Sequence, residues 1–156
     1  MMEFPEELKN RLKKNHIGHN QLMSVIPHRD PVLLVDDIID YEAGKWAIGH
    51  THLTGGEAFW KGHFPEKKMM PGTYQLEALS QVAVFVILSD KNCNKKIGIF
   101  AEAKDVRFYE MVLPGDDITL YCYMEKNRMG IYRFTGFGTL ANNKNCIFAD
   151  MTLTLE

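Results

Sequence analysis

The stretch that most constrains this chain runs from Thr73 to Ser89 (TYQLEALSQVAVFVILS), without glycine or proline. It is too long for an ordinary strand, so length reads it as a helix of roughly four to five turns. Pro71-Gly72 marks its start, and Asp90 with the polar KNCNKK marks its end. Leu76, Ala78, Leu79 and everything from Val82 to Leu88 are apolar. A helix apolar nearly all round must be buried. The exceptions share a face, because Thr73, Glu77 and Gln81 stand at i, i+4 and i+8. A carboxylate on a buried helix is costly unless it is paired, hydrogen-bonded or protonated. Near a helix start the dipole alone can favour a half-exposed Glu. His63, earlier in the chain, shifts the balance toward function. A His and a carboxyl in one dry site form an acid/base pair.

A buried helix needs something to cover it. Val32 to Tyr41 and Lys45 to Leu53 read as strands joined in a hairpin at Ala43-Gly44. Asp36, Asp37 and Asp40 imply that one end of the first strand is wet. After the helix come strand candidates at Lys96–Arg107, Asp117–Lys126, Gly130–Leu140 and Asn145–Leu155. Turn chemistry separates them at Leu113–Asp116, Lys126–Arg128 and Asn142–Lys144. Alternation is clear in IYRFTGFGTL and FADMTLTL. Consecutive hairpin-linked strands make an antiparallel meander, so the fold class is α+β: a curved antiparallel sheet wrapped around a long central helix over 71–89. Pro5 to Asn15 reads as a short amphipathic helix and QLMSVI, stopped before Pro27, as a second, giving an N-terminal helical segment over 1–25. The 156 residues suit one domain.

Composition excludes several classes. A net charge of −2 argues against a general nucleic-acid binder. The longest apolar run, Val82 to Leu88, is too short for a membrane span, and the charged N-terminus has no signal core, so a cytoplasmic location is expected. Cys93, Cys122 and Cys146 are odd in number and form no CxxC, so neither a disulfide framework nor a Cys-rich zinc site is expected.

Three stretches then carry a resemblance. Ile26–Ile38 (IPHRDPVLLVDDI), Gly62–Pro65 (GHFP) and Met70–Gln81 (MPGTYQLEALSQ) resemble, in order and spacing, the signatures of (3R)-hydroxyacyl-acyl carrier protein dehydratases of the FabZ type. The similarity covers the chain from about Leu22 to Leu155. It implies a hot-dog fold and a hydro-lyase of fatty-acid biosynthesis. It also implies an acyl carrier protein as partner, and a homodimer or a trimer of dimers. The chain departs from the pattern where Glu66-Lys67-Lys68-Met69 replaces a glycine and an apolar stretch, and where Thr73-Tyr74 replaces a more aliphatic pair. Both departures bear on substrate range.

Dehydrating a 3-hydroxyacyl thioester needs a base for the C2 proton, an acid for the departing hydroxyl and a donor for the thioester oxygen. His63 is the candidate base, since an unperturbed imidazole is largely neutral at cellular pH. Glu77 is the candidate acid, a role that requires burial to favour its neutral form. Gly72 stands where a helix start leaves backbone N–H groups free, and its missing Cβ lets a carbonyl oxygen approach. Gln81 is placed to bond Glu77 or a water, and Phe64, Tyr74 and Leu76 to line an acyl tunnel. No cofactor and no metal is expected. In the resembled family the His and the acid of one site come from different subunits. An acidic carrier protein calls for a basic dock, with Lys67, Lys68, Arg107, Lys126, Arg128 and Arg133 as candidates.

The alternatives are a hot-dog thioesterase, in which a carboxylate activates water, and a non-catalytic acyl-binding protein. The His-to-Glu spacing and the Pro-His-Arg motif favour the dehydratase over the first, and the retained His63 and Glu77 argue against the second. His28 and Arg29 are expected to structure their loop, His50 and His52 to be surface or core polar residues, and Trp46 and Trp60 to lie in the core or an interface.

Overall fold

A computed structural model describes residues 2–156. Helices α1 (Glu6–Lys9) and α2 (His19–Val25) precede strands β1 (Asp37–Glu42) and β2 (Trp46–His52). A 3₁₀ turn at Ala58–Lys61 leads to the central helix α3 (Gly72–Leu88). Strands β3 (Gly98–Phe108), β4 (Asp117–Arg128), β5 (Ile131–Leu140) and β6 (Asn145–Leu155) follow. The strands form one sheet in the order β1-β2-β4-β5-β6-β3, with every neighbouring pair antiparallel. Helix α3 touches all six strands, which is the hot-dog arrangement the resemblance implies.

The sheet bends around α3 because small residues let the two approach. A Cβ on Gly49 of β2 would lie 2.6 Å from Val82 Cγ2, and one on Gly136 of β5 would lie 2.9 Å from Leu79 Cδ2. From Ala78 to Leu88 every residue of α3 is buried, so the apolar run is surrounded as its composition demands. Val82, Phe85 and Val86 pack with Ile38, Ile118, Leu120 and Leu153 in the main core. A second, smaller cluster lies apart from it. There Phe4 meets the Trp46 ring edge-on at 5.5 Å, beside Ile48 and Phe137.

Two elements differ from the sequence expectation. The first helix stops at Lys9 instead of reaching Asn15. Beyond it the N–H groups of Lys13 and Asn15 donate to the carboxylate of Asp40 at 2.8 and 2.9 Å, and Ile17 pairs with Ile38. These long-range partners outcompete the i−4 carbonyls. Asp40 is therefore buried, not wet. Burial works against its charge, but the backbone donors outweigh it and hold its pKa below the ordinary value. Strand β1 begins at Asp37, not Val32, because a glutamine on α3 takes the hydrogen bonds of the preceding residues.

Candidate functional site

The start of α3 carries the site. Pro71 O accepts from the N–H groups of Tyr74 and Gln75, opening the helix at Gly72. Gly72 has no preceding turn to supply a carbonyl for its own N–H. A Cβ there would come within 2.9 Å of the Phe108 ring, so the missing side chain also makes room.

The face Thr73–Glu77–Gln81 runs from solvent into the core: Thr73 is exposed, Glu77 half-buried and Gln81 fully buried. Gln81 is tied on all sides. Its Nε2 donates to Val32 O at 2.8 Å and to Glu77 Oε1 at 2.9 Å, and its Oε1 accepts from Leu34 N at 2.9 Å. Glu77 is thus held by an amide already fixed to the 32–34 segment. Its Oε2 lies 3.5 Å from the Ser80 hydroxyl. The carboxyl opens on a cavity of ≈ 710 Å³ lined by Met23, Val32, Leu53, Phe59 and Tyr74 among others. Leu76 is half-buried and packs on the core, away from that lining.

His63 lies in the loop before α3. Phe64 and Lys67 exchange backbone hydrogen bonds at 3.0 and 3.2 Å, and Met69 N donates to His63 O at 3.0 Å. The polar Glu66-Lys67-Lys68 sequence therefore forms a closed turn. The His63 Nδ1 bonds Met69 O at 2.8 Å, and the Phe64 ring stacks on the imidazole at 4.2 Å. Among the described residues no contact joins His63 to Glu77, and His63 does not line the cavity on which Glu77 opens.

Histidine 28 is the neighbour that sequence reading missed. Its Nε2 lies 3.8 Å from Glu77 Oε1, and its Nδ1 is buried without a partner. Burial lowers its pKa below the ordinary value; the Glu77 charge opposes this and Arg29 adds to it. Arg29 does structure the loop, donating to the carbonyls of Met23, Ile26 and His28. The signal for His28 is its place just before the 32–34 segment that Gln81 binds to α3, a contact invisible in one dimension.

The remaining histidines gather elsewhere. His50 bonds Asp37 Oδ1 through Nδ1 at 2.9 Å and Asp117 Oδ1 through Nε2 at 2.8 Å; His16 takes the other oxygen of Asp37 at 2.8 Å, and His52 shares Asp117 Oδ1 at 3.0 Å. Burial opposes the His50 charge, but Asp117 and Asp37 outweigh it and raise its pKa. Among the described residues no group of His, Cys, Asp or Glu is arranged to hold a metal. Burial pushes the Cys122 and Cys146 thiols up, so neither is a nucleophile near neutral pH.

Of the basic candidates, Lys67 and Lys68 share the end of the molecule with Arg107, since Met70 N bonds Val112 O just beyond β3. Arg128 lies at the opposite end of the sheet, in register with Ile131 and Thr154.

Comparison with known proteins bears on the fold and the family. The FabA-like domain matches residues 26–149. The chain is 39% identical over 131 residues to the 3-hydroxyacyl-[acyl-carrier-protein] dehydratase FabZ of Pasteurella multocida, covering 83% of this chain and 86% of that one. It is 38% identical over 136 residues to the FabZ of Exiguobacterium sibiricum, covering 87% and 96%. Among solved structures, the dehydratase heterocomplex ApeI:P from Xenorhabdus doucetiae shares the fold with a TM-score of 0.72 at 11% identity, over 86% of this chain and 90% of that chain. The Escherichia coli PaaI protein of the phenylacetic acid degradation operon does so at 0.59 and 13%, over 76% and 77%. Such low identities speak for the fold alone. The domain match and the FabZ relatives go further: this chain belongs to the FabA-like family, in its FabZ 3-hydroxyacyl-[acyl-carrier-protein] dehydratase branch.

Proposed function

We propose that the protein dehydrates (3R)-hydroxyacyl thioesters on acyl carrier protein to trans-2-enoyl thioesters, in the cytoplasm, as a step of fatty-acid biosynthesis. The observation that carries the reading is the bond between His63 Nδ1 and Met69 O. A carbonyl oxygen only accepts, so Nδ1 holds the ring proton and the lone pair of the neutral ring falls on Nε2. A base for the C2 proton needs that lone pair.

The step balances with the residues at hand. His63 Nε2 takes the C2 proton, and the released electron pair forms the C2–C3 double bond. The C3–O bond breaks, and the Glu77 carboxyl gives its proton to the departing hydroxyl, which leaves as water. The Gly72 N–H stabilises charge on the thioester oxygen. Each proton-transfer partner is worth roughly 10²–10⁴ in rate and the oxyanion donor about 10²–10³. Gln81 fixes Glu77, and Phe64 orients the imidazole.

A second copy completes the site. Strand β3 ends the sheet with one edge unpaired, and Ile99, Phe100 and Phe108 on it are exposed. An apolar edge of this kind invites pairing with another strand, which supports a homodimer in which His63 serves the partner's cavity. The carrier protein docks beside Lys67, Lys68 and Arg107, next to the His63 loop; Arg128 is too far along the sheet to join them. The three unpaired thiols suit a reducing compartment, and no helix among the described residues is long and apolar enough to cross a membrane.

Incubation with a 3-hydroxyacyl carrier-protein thioester tests the reading. Enoyl product supports it; free thiol supports a thioesterase instead. His63→Ala is expected to lower turnover by at least about 10² while the chain still folds. Mixed dimers of His63→Ala with Glu77→Ala chains are expected to regain part of the activity. Mixed dimers that form and stay dead would sink the shared site.

A further inference from the structure

We infer that His28 is a positioning residue for Glu77: together with Gln81 it fixes Oε1 as a permanent acceptor, which leaves Oε2 as the oxygen that carries and delivers the proton. This role rests on the dehydration proposed above.

The geometry starts from the unpartnered nitrogen. His28 Nδ1 is buried and bonds nothing. A buried N–H without an acceptor is rarer and costlier than an under-used acceptor, so Nδ1 is the bare nitrogen. The ring proton then sits on Nε2, the edge that faces Glu77 Oε1 at 3.8 Å. A closure of about 1 Å converts that approach into a hydrogen bond. Oε1 already accepts from Gln81 Nε2 at 2.9 Å. Two neutral donors on one oxygen place the proton of a carboxylic acid on the other. Oε2 has only the Ser80 hydroxyl, at 3.5 Å.

Charging His28 would undo this. The imidazolium would bring a second N–H into a buried spot with no acceptor, and would hold Glu77 as the anion. Two ionisable groups face the ring: Glu77 from α3, whose anion would favour the imidazolium, and Arg29 beside it in the loop, which opposes it. Burial tips the balance to the neutral ring. The neutral form is what lets Glu77 act as an acid. As pH falls far enough to charge His28, a cation with an unsatisfied N–H replaces the neutral donor beside Oε1, and turnover drops.

Two variants and a titration test the role. His28→Gln keeps an N–H without a titratable charge. Its kcat near pH 7 is expected to stay within about threefold of the unaltered chain, with the acid-side fall in turnover moved to lower pH. His28→Phe keeps a ring without a donor and is expected to lower kcat about tenfold with little change in KM. Independently of activity, the His28 ring resonances are followed through pH by NMR in the unaltered chain and in Glu77→Gln. The His28 midpoint is expected to fall in Glu77→Gln, because the opposing charge is gone. A midpoint indifferent to Glu77→Gln, or unaltered kcat and pH profile in His28→Phe, overturns the assignment. If the unaltered chain makes no enoyl product, the dehydration itself fails, and the catalytic part of the His28 role fails with it.

Discussion

Two clusters in this molecule join histidine to carboxylate, and they are built on opposite plans. At His50 both ring nitrogens meet carboxylates, one from β1 and one from β4, so the ring carries a charge and ties three strands together. At His28 one nitrogen approaches Glu77 without reaching it and the other meets nothing. The His50 ring is saturated and has no nitrogen left for a substrate. The second cluster is under-satisfied beside a cavity, with its carboxyl held by a neutral amide. Saturated charge serves the fold, and an incomplete set of partners leaves room for chemistry. The two rings also respond to pH with opposite sign. The His50 pKa is raised, so its contribution to stability is present below pH ~6.5 and is lost as pH rises through the folded value. The His28 pKa is lowered, so stability is lost as pH falls from ~6.5 through its folded value.

The largest expected effect comes from breaking the neutral set. Gln81→Leu keeps the volume but strips partners from Val32 O, Leu34 N and Glu77. Each orphaned buried group costs about 1–3 kcal/mol, so a loss of roughly 3 kcal/mol is expected by chemical denaturation. Turnover should fall as well, because Glu77 and the 32–34 segment lose their common anchor. A stable variant with full activity would mean that the segment is held by packing alone.

Breaking the charged set should cost less, because its members are partly exposed: the side chain of His50 is 30% accessible and that of Asp117 47%. His50→Ala is expected to lose about 1 kcal/mol after screening, with no effect on turnover. The loss should be full below pH ~6.5 and shrink as pH rises through the folded value. A penalty as large at pH 9 as at pH 6 would trace it to packing and not to charge.

How much of this was legible in one dimension follows from the range of each interaction. Helix α3 was readable to within a residue, because seventeen positions of local pattern and a Pro-Gly start agree. The later strands were readable because turn chemistry punctuates them. The ends that failed were decided from afar: Asp40 captured the residues meant to extend α1, and Gln81 captured those meant to begin β1. The same holds at the site. His63, Gly72 and Glu77 lie within fifteen residues of sequence and are proposed from their motifs. His28 comes near Glu77 across a loop followed by the 32–34 segment that a fully buried glutamine straps to the helix, and no periodicity reports a strap.

The smallest expected effect sharpens where the structural cluster ends. His16 bonds the outer oxygen of Asp37 at 2.8 Å, but its side chain is 61% accessible. Water and salt can replace such a partner, so an exposed pair of this kind is worth roughly 0–1 kcal/mol. The adjacent Ile17 bridge to Ile38 holds the same stretch of chain through backbone hydrogen bonds that a side-chain change leaves intact. His16→Ala is therefore expected to shift the denaturation midpoint by no more than an ordinary surface change, within about 0.5 kcal/mol. His16→Ala combined with His50→Ala separates the two outcomes left for Asp37. If their costs add, Asp37 is served by His50 alone and the cluster ends there. If the double variant loses clearly more than the sum, His16 is its reserve partner, and the charge network extends out to the N-terminal arm.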